Sequence, residues 1–176
     1  MVFWFDIDPA QIETIALNKD RTRFRYKGGP LRFQVPRGAC SGVNAYKSFQ
    51  VEVSDPEFVQ WWRQLEAQLC PRTPFNSNLR ESSLRIKIDD SVYIFDQNST
   101  QTTPEVREGL FRGQELSCLI DVDSTYFFNE NWGLTIRAYQ VKTLTDAPSL
   151  GNDASSFPPE ESFSLAKGTC AFLSVE

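Results

Sequence analysis

The sequence predicts a mostly β domain: a five-stranded Greek-key barrel with extra strands, one inserted α-helix at about residues 55–70, and a flexible acidic C-terminal tail. Three observations carry this. Apolar and polar residues alternate with a period of two across residues 21–27, 49–53, 84–88 and 116–122, as half-buried strands require. Only one segment, Phe58 to Leu69, carries apolar residues at helical spacing. After Thr145 the periodicity stops, and Asp, Ser, Pro and Gly dominate. The chain has 176 residues. With about 150 residues to a domain, one domain over residues 1–145 and a tail over 146–176 are expected.

The elements follow in order. Phe3 to Ile7 reads as a short apolar strand, and Ile12 to Leu17 as a second candidate. Arg21, Arg23, Arg25 and Lys27 then fill alternate positions, with Thr22, Phe24 and Tyr26 between them. Gly28-Gly29-Pro30 is a turn. Leu31, Phe33 and Val35 alternate with Arg32 and Gln34 on a return strand, so residues 21–36 form a basic hairpin. Arg37 to Gly42 is a glycine-containing loop without phosphate-loop spacing. Tyr46 to Val53 is a half-buried strand. Ser54-Asp55-Pro56-Glu57 combines a capping box with an early helical proline. Phe58, Trp62, Leu65 and Leu69 then mark one helix face, and Pro71 ends it.

A polar loop covers residues 72–82. Leu84, Ile86 and Ile88 form a strand whose other face carries Arg85 and Lys87. Asp89-Asp90-Ser91 is a hairpin turn, and Val92 to Phe95 is its return strand. Residues 97–114 read as a long connection or lid. Glu115 to Phe128 is a long strand, Asn129-Glu130-Asn131 a turn, and Trp132 to Val141 the partner strand, with Arg137 and Tyr139 facing outward.

Composition narrows the function. There is no histidine, which excludes Ser-His-Asp and Cys-His catalysis, His-ligated metals and a histidine pH switch. Cys40, Cys70, Cys118 and Cys170 show no C-x-x-C spacing and read as reduced thiols. Neither a signal peptide nor a membrane span is evident. A soluble intracellular protein without cofactor or membrane contact is expected.

The formal net charge of −5 hides an asymmetry. From Lys19 to Lys47, eight cations face one anion, leaving +7, whereas residues 146–176 carry five acids and one lysine, leaving −4. Cations two positions apart on a strand lie about 6.6 Å apart, a step comparable to phosphate spacing on an extended nucleic-acid strand. Like charges on one face repel, so either acidic neighbours or a bound polyanion must offset them. The phosphate-contacting candidates are Arg21, Arg23, Arg25, Lys27, Arg32, Lys47, Arg85, Lys87 and Arg137. The base-stacking candidates are Tyr26, Phe33, Tyr46, Tyr93 and Tyr139, of which core packing claims Phe33 first.

Two segments carry a family resemblance. Phe58-Val59-Gln60-Trp61-Trp62-Arg63-Gln64-Leu65-Glu66 resembles the helix of virus- and phage-encoded single-stranded DNA-binding proteins. Trp132-Gly133-Leu134-Thr135-Ile136-Arg137-Ala138-Tyr139-Gln140-Val141-Lys142 is similar to their final barrel strand, and the acidic tail with its aromatic patch is similar to theirs. The tail departs from that pattern in its lower density of acids and in the mixed residues after Phe172. The resemblance implies an oligonucleotide-binding (OB) barrel that holds single-stranded DNA, with RNA as the alternative strand, in replication, recombination or repair. It also implies a tail that meets replication proteins or competes for the DNA groove, and it allows a homodimer. Two rival classes stand beside it. Asp6 and Asp8, or Asp121 and Asp123, could pair around Mg²⁺ in a nuclease. A capsid or other structural β-protein could use the basic face against packaged genome.

Overall fold

The computed structural model describes residues 2–145 and Phe172; the expected tail otherwise lies outside the described residues. The chain opens on two short 3-10 turns, Trp4–Asp6 and Pro9–Gln11, rather than on the strand expected at Phe3 to Ile7. The cause is local. The Asp6 carboxylate accepts the Phe3 N–H at 3.1 Å, and Asp8 accepts the Ala10 N–H at 3.1 Å just before Pro9 continues the turn. Such side-chain acceptors offer the backbone an alternative to a strand ladder. Phe3 alone keeps a strand-like link, a parallel bridge to Gln34.

Six strands follow: β1 (Ile12–Ala16), β2 (Thr22–Tyr26), β3 (Gly29–Pro30), β4 (Arg32–Gln34), β5 (Gly38–Ala39) and β6 (Ser48–Glu52). The helix α1 (Pro56–Leu69) comes next, then β7 (Leu79–Arg80), β8 (Ser83–Lys87), β9 (Tyr93–Phe95), β10 (Gln101–Thr102), β11 (Glu115–Phe128) and β12 (Asn131–Thr143). Asp55, one residue later than the capping box places it, caps α1 by accepting from the N–H groups of Glu57 and Phe58. Phe58, Trp62, Leu65 and Leu69 are all buried, each worth about 1.5–3 kcal/mol of transfer free energy. Trp61 meets Trp4 and Phe33 at centroid distances of 5.3 and 5.2 Å, which docks the N-terminal turn onto the helix.

The pairings form a ring. β11 and β12 make a long antiparallel ribbon from Leu116↔Thr143 to Phe128↔Asn131. β12 meets β8 in parallel at Arg137↔Lys87, and β8 pairs antiparallel with β6 from Ser48↔Lys87 to Glu52↔Ser83. β6 reaches the end of β5 through one antiparallel bridge, Cys40↔Val51, and β5 returns to β11 at Glu115↔Ala39. Residues 22–40 are therefore the first stave, and the spatial order first–second–third–fifth–fourth–first is compatible with an OB-like barrel carrying extra strands. Gly38 marks the thin seam: a Cβ there would stand 1.7 Å from the Glu52 carbonyl oxygen.

Two expected hairpins take other forms. β2 and β3 share only Arg25↔Pro30 and Tyr26↔Gly29, after which β4 pairs with β11 at Arg32↔Asp121, Phe33↔Ile120 and Gln34↔Leu119. The basic segment thus makes a short wing and then rejoins the barrel, because Leu31, Phe33 and Val35 are core residues with almost no exposure. Likewise β9 does not fold back on β8. The Asp89–Val92 turn jogs the chain sideways, and β9 continues in parallel beside β12 at Tyr93↔Gln140. The segment expected as a lid is pinned to the core by Val106 and Phe111, both buried. Cys40, Cys70 and Cys118 are free and buried. No helix among the described residues is long and apolar enough to cross a membrane.

Candidate nucleic-acid interface

Side chains on directly paired residues share a face, so the register assembles a surface across the outside of the barrel. One row runs Arg32–Asp121–Arg137–Lys87–Ser48 through β4, β11, β12, β8 and β6. A second row joins Arg23 to Ser124 and Thr135. Arg85 stands two residues before Lys87, opposite Gln50. In an OB barrel this second- and third-stave face, with the loops beside it, is where oligonucleotides bind.

The repulsion anticipated among these cations is offset by acids of β11. Arg32 makes a two-pronged pair with Asp121 at 2.6 and 3.0 Å, and its Cζ lies 3.3 Å from the centroid of the Tyr139 ring. Burial works against the Arg32 charge, but the Asp121 carboxylate and the Tyr139 phenol group outweigh it and raise the guanidinium above its ordinary value. Tyr139 in turn meets Tyr93 edge-on at 5.6 Å. Arg21 pairs with Asp123 at 3.4 Å, Arg137 with Asp89 at 3.7 Å, and Lys47 with Asp90 at 3.9 Å. The Ser91 hydroxyl, its N–H and the Arg137 charge hold the Asp89 carboxyl below its usual value despite partial burial. Among the described residues, Arg23, Arg85 and Lys87 have no carboxylate within ion-pair distance.

The expected site residues therefore divide. Arg21, Arg23, Arg32, Arg85, Lys87, Arg137 and Tyr139 come together on the barrel's outer face, with Tyr93 at its margin. Arg25 and Lys27 sit on the β1–β2–β3 wing, where Arg25 is bonded to the Gly28 carbonyl at 3.1 Å and lies opposite Glu13. Lys47 sits in the loop before β6. Tyr26 needs correction as a stacking residue: it is buried, and its hydroxyl accepts the Asp8 N–H at 3.1 Å, so its ring presents no free face. Phe33 is fully buried, in line with its core assignment. Tyr46 is 90% exposed beside Lys47.

Three aromatics escaped the sequence reading. Tyr126 lies over Gly133, where a Cβ would come within 2.3 Å of its ring, and the Lys87 ammonium is 6.0 Å from its centroid. Phe127 and Phe128 are 46% and 69% exposed at the tip of the β11–β12 ribbon, before the turn residues Asn129 and Glu130 at φ 49° and 61°. Ribbon length was the available signal, because a strand that outruns its neighbours leaves both faces of its tip in water.

The carboxylates considered for a metal have other partners. Asp6 and Asp8 close the N-terminal turns, and Asp121 and Asp123 pair with Arg32 and Arg21.

No family model matches the sequence, nor does any curated protein. Among solved structures, the single-stranded DNA-binding protein from bacteriophage Enc34 is similar, with a TM-score of 0.51 and 11% identity over 82% of this chain and 95% of that one. A C-terminal truncation of the same phage protein aligns at a TM-score of 0.48 and 10% identity, over 81% and 98% of the two chains. The fold expected from the sequence is thus shared with a phage single-stranded DNA-binding protein.

Proposed function

We propose that the chain is a non-catalytic, sequence-tolerant single-stranded DNA-binding protein of viral DNA replication, recombination or repair, which shields and organises the strand. The carrying observation is the outer face, where Arg23, Arg85 and Lys87 stand without acidic partners beside Tyr126 and the rigid Arg32–Tyr139 stack. Uncommitted cations about 6.6 Å apart along β8, with Arg23 three strands away across β12 and β11 at about 4.8 Å per strand, can follow a phosphate backbone. Aromatics at the ribbon tip and at Tyr46 can stack on bases, at about 1–3 kcal/mol each. Phosphate contacts and ring stacking carry little base information, which is the ground for sequence tolerance. RNA is the alternative strand, and homodimer formation and tail contacts with replication proteins belong to the same proposal.

The test is a titration of fluorescent oligo-dT, duplex DNA and RNA side by side at rising salt. Tight binding to oligo-dT that weakens steeply with salt supports the proposal. Absence of binding at about 50 mM salt, where phosphate contacts are strong, refutes it.

A further inference from the structure

A second surface lies away from the interface, at the end of the barrel where β11 begins and β12 ends. There a groove of about 610 Å³ is walled by Phe3, Trp4, Phe5, Val35, Pro36 and Leu144, with Arg37 and Lys142 on its lining. It is a built feature. The Val2 carbonyl accepts the Gln34 N–H at 2.9 Å, the Phe3 and Phe5 rings stack at 5.0 Å, and Trp4 packs edge-on against Phe58 of the helix at 5.3 Å. Phe5 is nonetheless 61% exposed, an aromatic face held open to solvent. Phe172 lies against the same groove, with its ring edge-on to Phe95 at 6.5 Å.

We propose that this groove is a recognition site for an aromatic residue on an acidic segment, and that its resident occupant is the 171–175 segment of the same chain, anchored by Phe172. Charge favours this occupant. The stretch from Asp146 to Glu176 carries five acids and one lysine, and the groove offers Lys142 and Arg37, the latter shared with Glu115 at 3.4 Å, while its one lining acid, Asp55, is engaged as the cap of α1. Connectivity is adequate: 26 residues separate Thr145 from Phe172, and a tether of that length supplies an effective concentration on the order of millimolar. An anchor that is weak as a free peptide can then remain seated. This site needs no nucleic acid and stands whether or not the outer face binds DNA.

The test uses the full-length chain, with amide NMR spectra of wild type and Phe172→Ala. The resonances of Phe3 to Phe5, Ser54 and Leu144 are expected to move in the variant, while those of Arg85, Lys87 and Gln50 stay in place. A synthetic peptide of residues 165–176 added to the Phe172→Ala protein should restore the groove resonances saturably, and the same peptide with Phe172→Ala should not. Unchanged groove resonances in the variant, or a peptide that perturbs the β8 face instead, overturn the proposal. Groove shifts in wild type that vanish on dilution would assign the occupant to a second copy and overturn the intramolecular form.

Discussion

At Arg32 one guanidinium is held by a carboxylate at its edge and a tyrosine ring on its face, so the residue acts first as a pin between β4, β11 and β12. Removing it leaves Asp121 without its cation and Tyr139 without its stack. Arg32→Ala is therefore expected to lose about 1–3 kcal/mol of stability, read by urea unfolding. Lys87→Ala, with no carboxylate partner and a looser ring contact at 6.0 Å from Tyr126, should stay within about 0.5 kcal/mol of wild type, weaken oligonucleotide binding and reduce the salt slope by about one. Sequence alternation placed both cations outward but ranked them alike, because a partner donated by a strand about 90 residues away is invisible to local pattern. Glu66 is a second such case. Burial raises its carboxyl, and donors from Ser77, Trp62 and Asn78, with the Arg63 charge, pull it back only in part. A raised carboxyl contributes stability that is present below the unfolded glutamate value and lost as pH rises through the folded one. Glu66→Gln keeps the Trp62 and Asn78 bonds, and its amide can donate to the Ser77 hydroxyl, which already bonds the Leu79 carbonyl at 3.0 Å. The variant should gain stability relative to wild type as pH rises from about 4 toward neutrality, followed by urea midpoints across that range. A constant difference would contradict the assignment.

Among the elements, those legible in sequence were the ones with long uninterrupted periods. β11 spans Glu115–Phe128, the expected range, and α1 lies within one residue of its expected ends. The elements that differed were short. The N-terminal turn, the β2–β3 wing and the β8–β9 jog are decided by a side-chain cap, by core demand at Phe33 and by an Asx turn at Asp89, none of which leaves a periodic trace. Closure of the barrel depends on one such short element. Gly38→Ala would press a methyl onto the Glu52 carbonyl at the β5–β6 seam, and a loss of about 1–3 kcal/mol is expected, with faster amide exchange at Cys40 and Val51 as the local readout. The ribbon tip makes the complementary prediction. Phe128→Ala should leave stability within about 0.5 kcal/mol of wild type and weaken oligo-dT binding by about 1–3 kcal/mol. Unaltered affinity would remove the tip from the interface.

Over the whole molecule, the acidic total and the cationic face are compatible because binding senses the local field rather than the net charge. One chain of net charge −5 carries both the acids of residues 146–176 and the barrel's uncommitted arginines and lysines. The basic block seen in the sequence divides: Arg25 and Lys27 sit on a wing, Arg23 and Arg32 join Arg85, Lys87 and Arg137 on the barrel face, Arg37 lines the end groove, and Lys47 stays in the loop before β6. Only the strand register could separate them. The decisive comparison is therefore a salt-dependent oligo-dT titration of wild type, Arg85→Glu with Lys87→Glu, and Arg25→Glu with Lys27→Glu, each checked for an unchanged circular dichroism spectrum. The barrel-face pair is expected to abolish binding and the wing pair to weaken it only modestly. Full affinity in the barrel-face pair, or loss confined to the wing pair, would contradict the assignment of the strand to the outer face of the barrel.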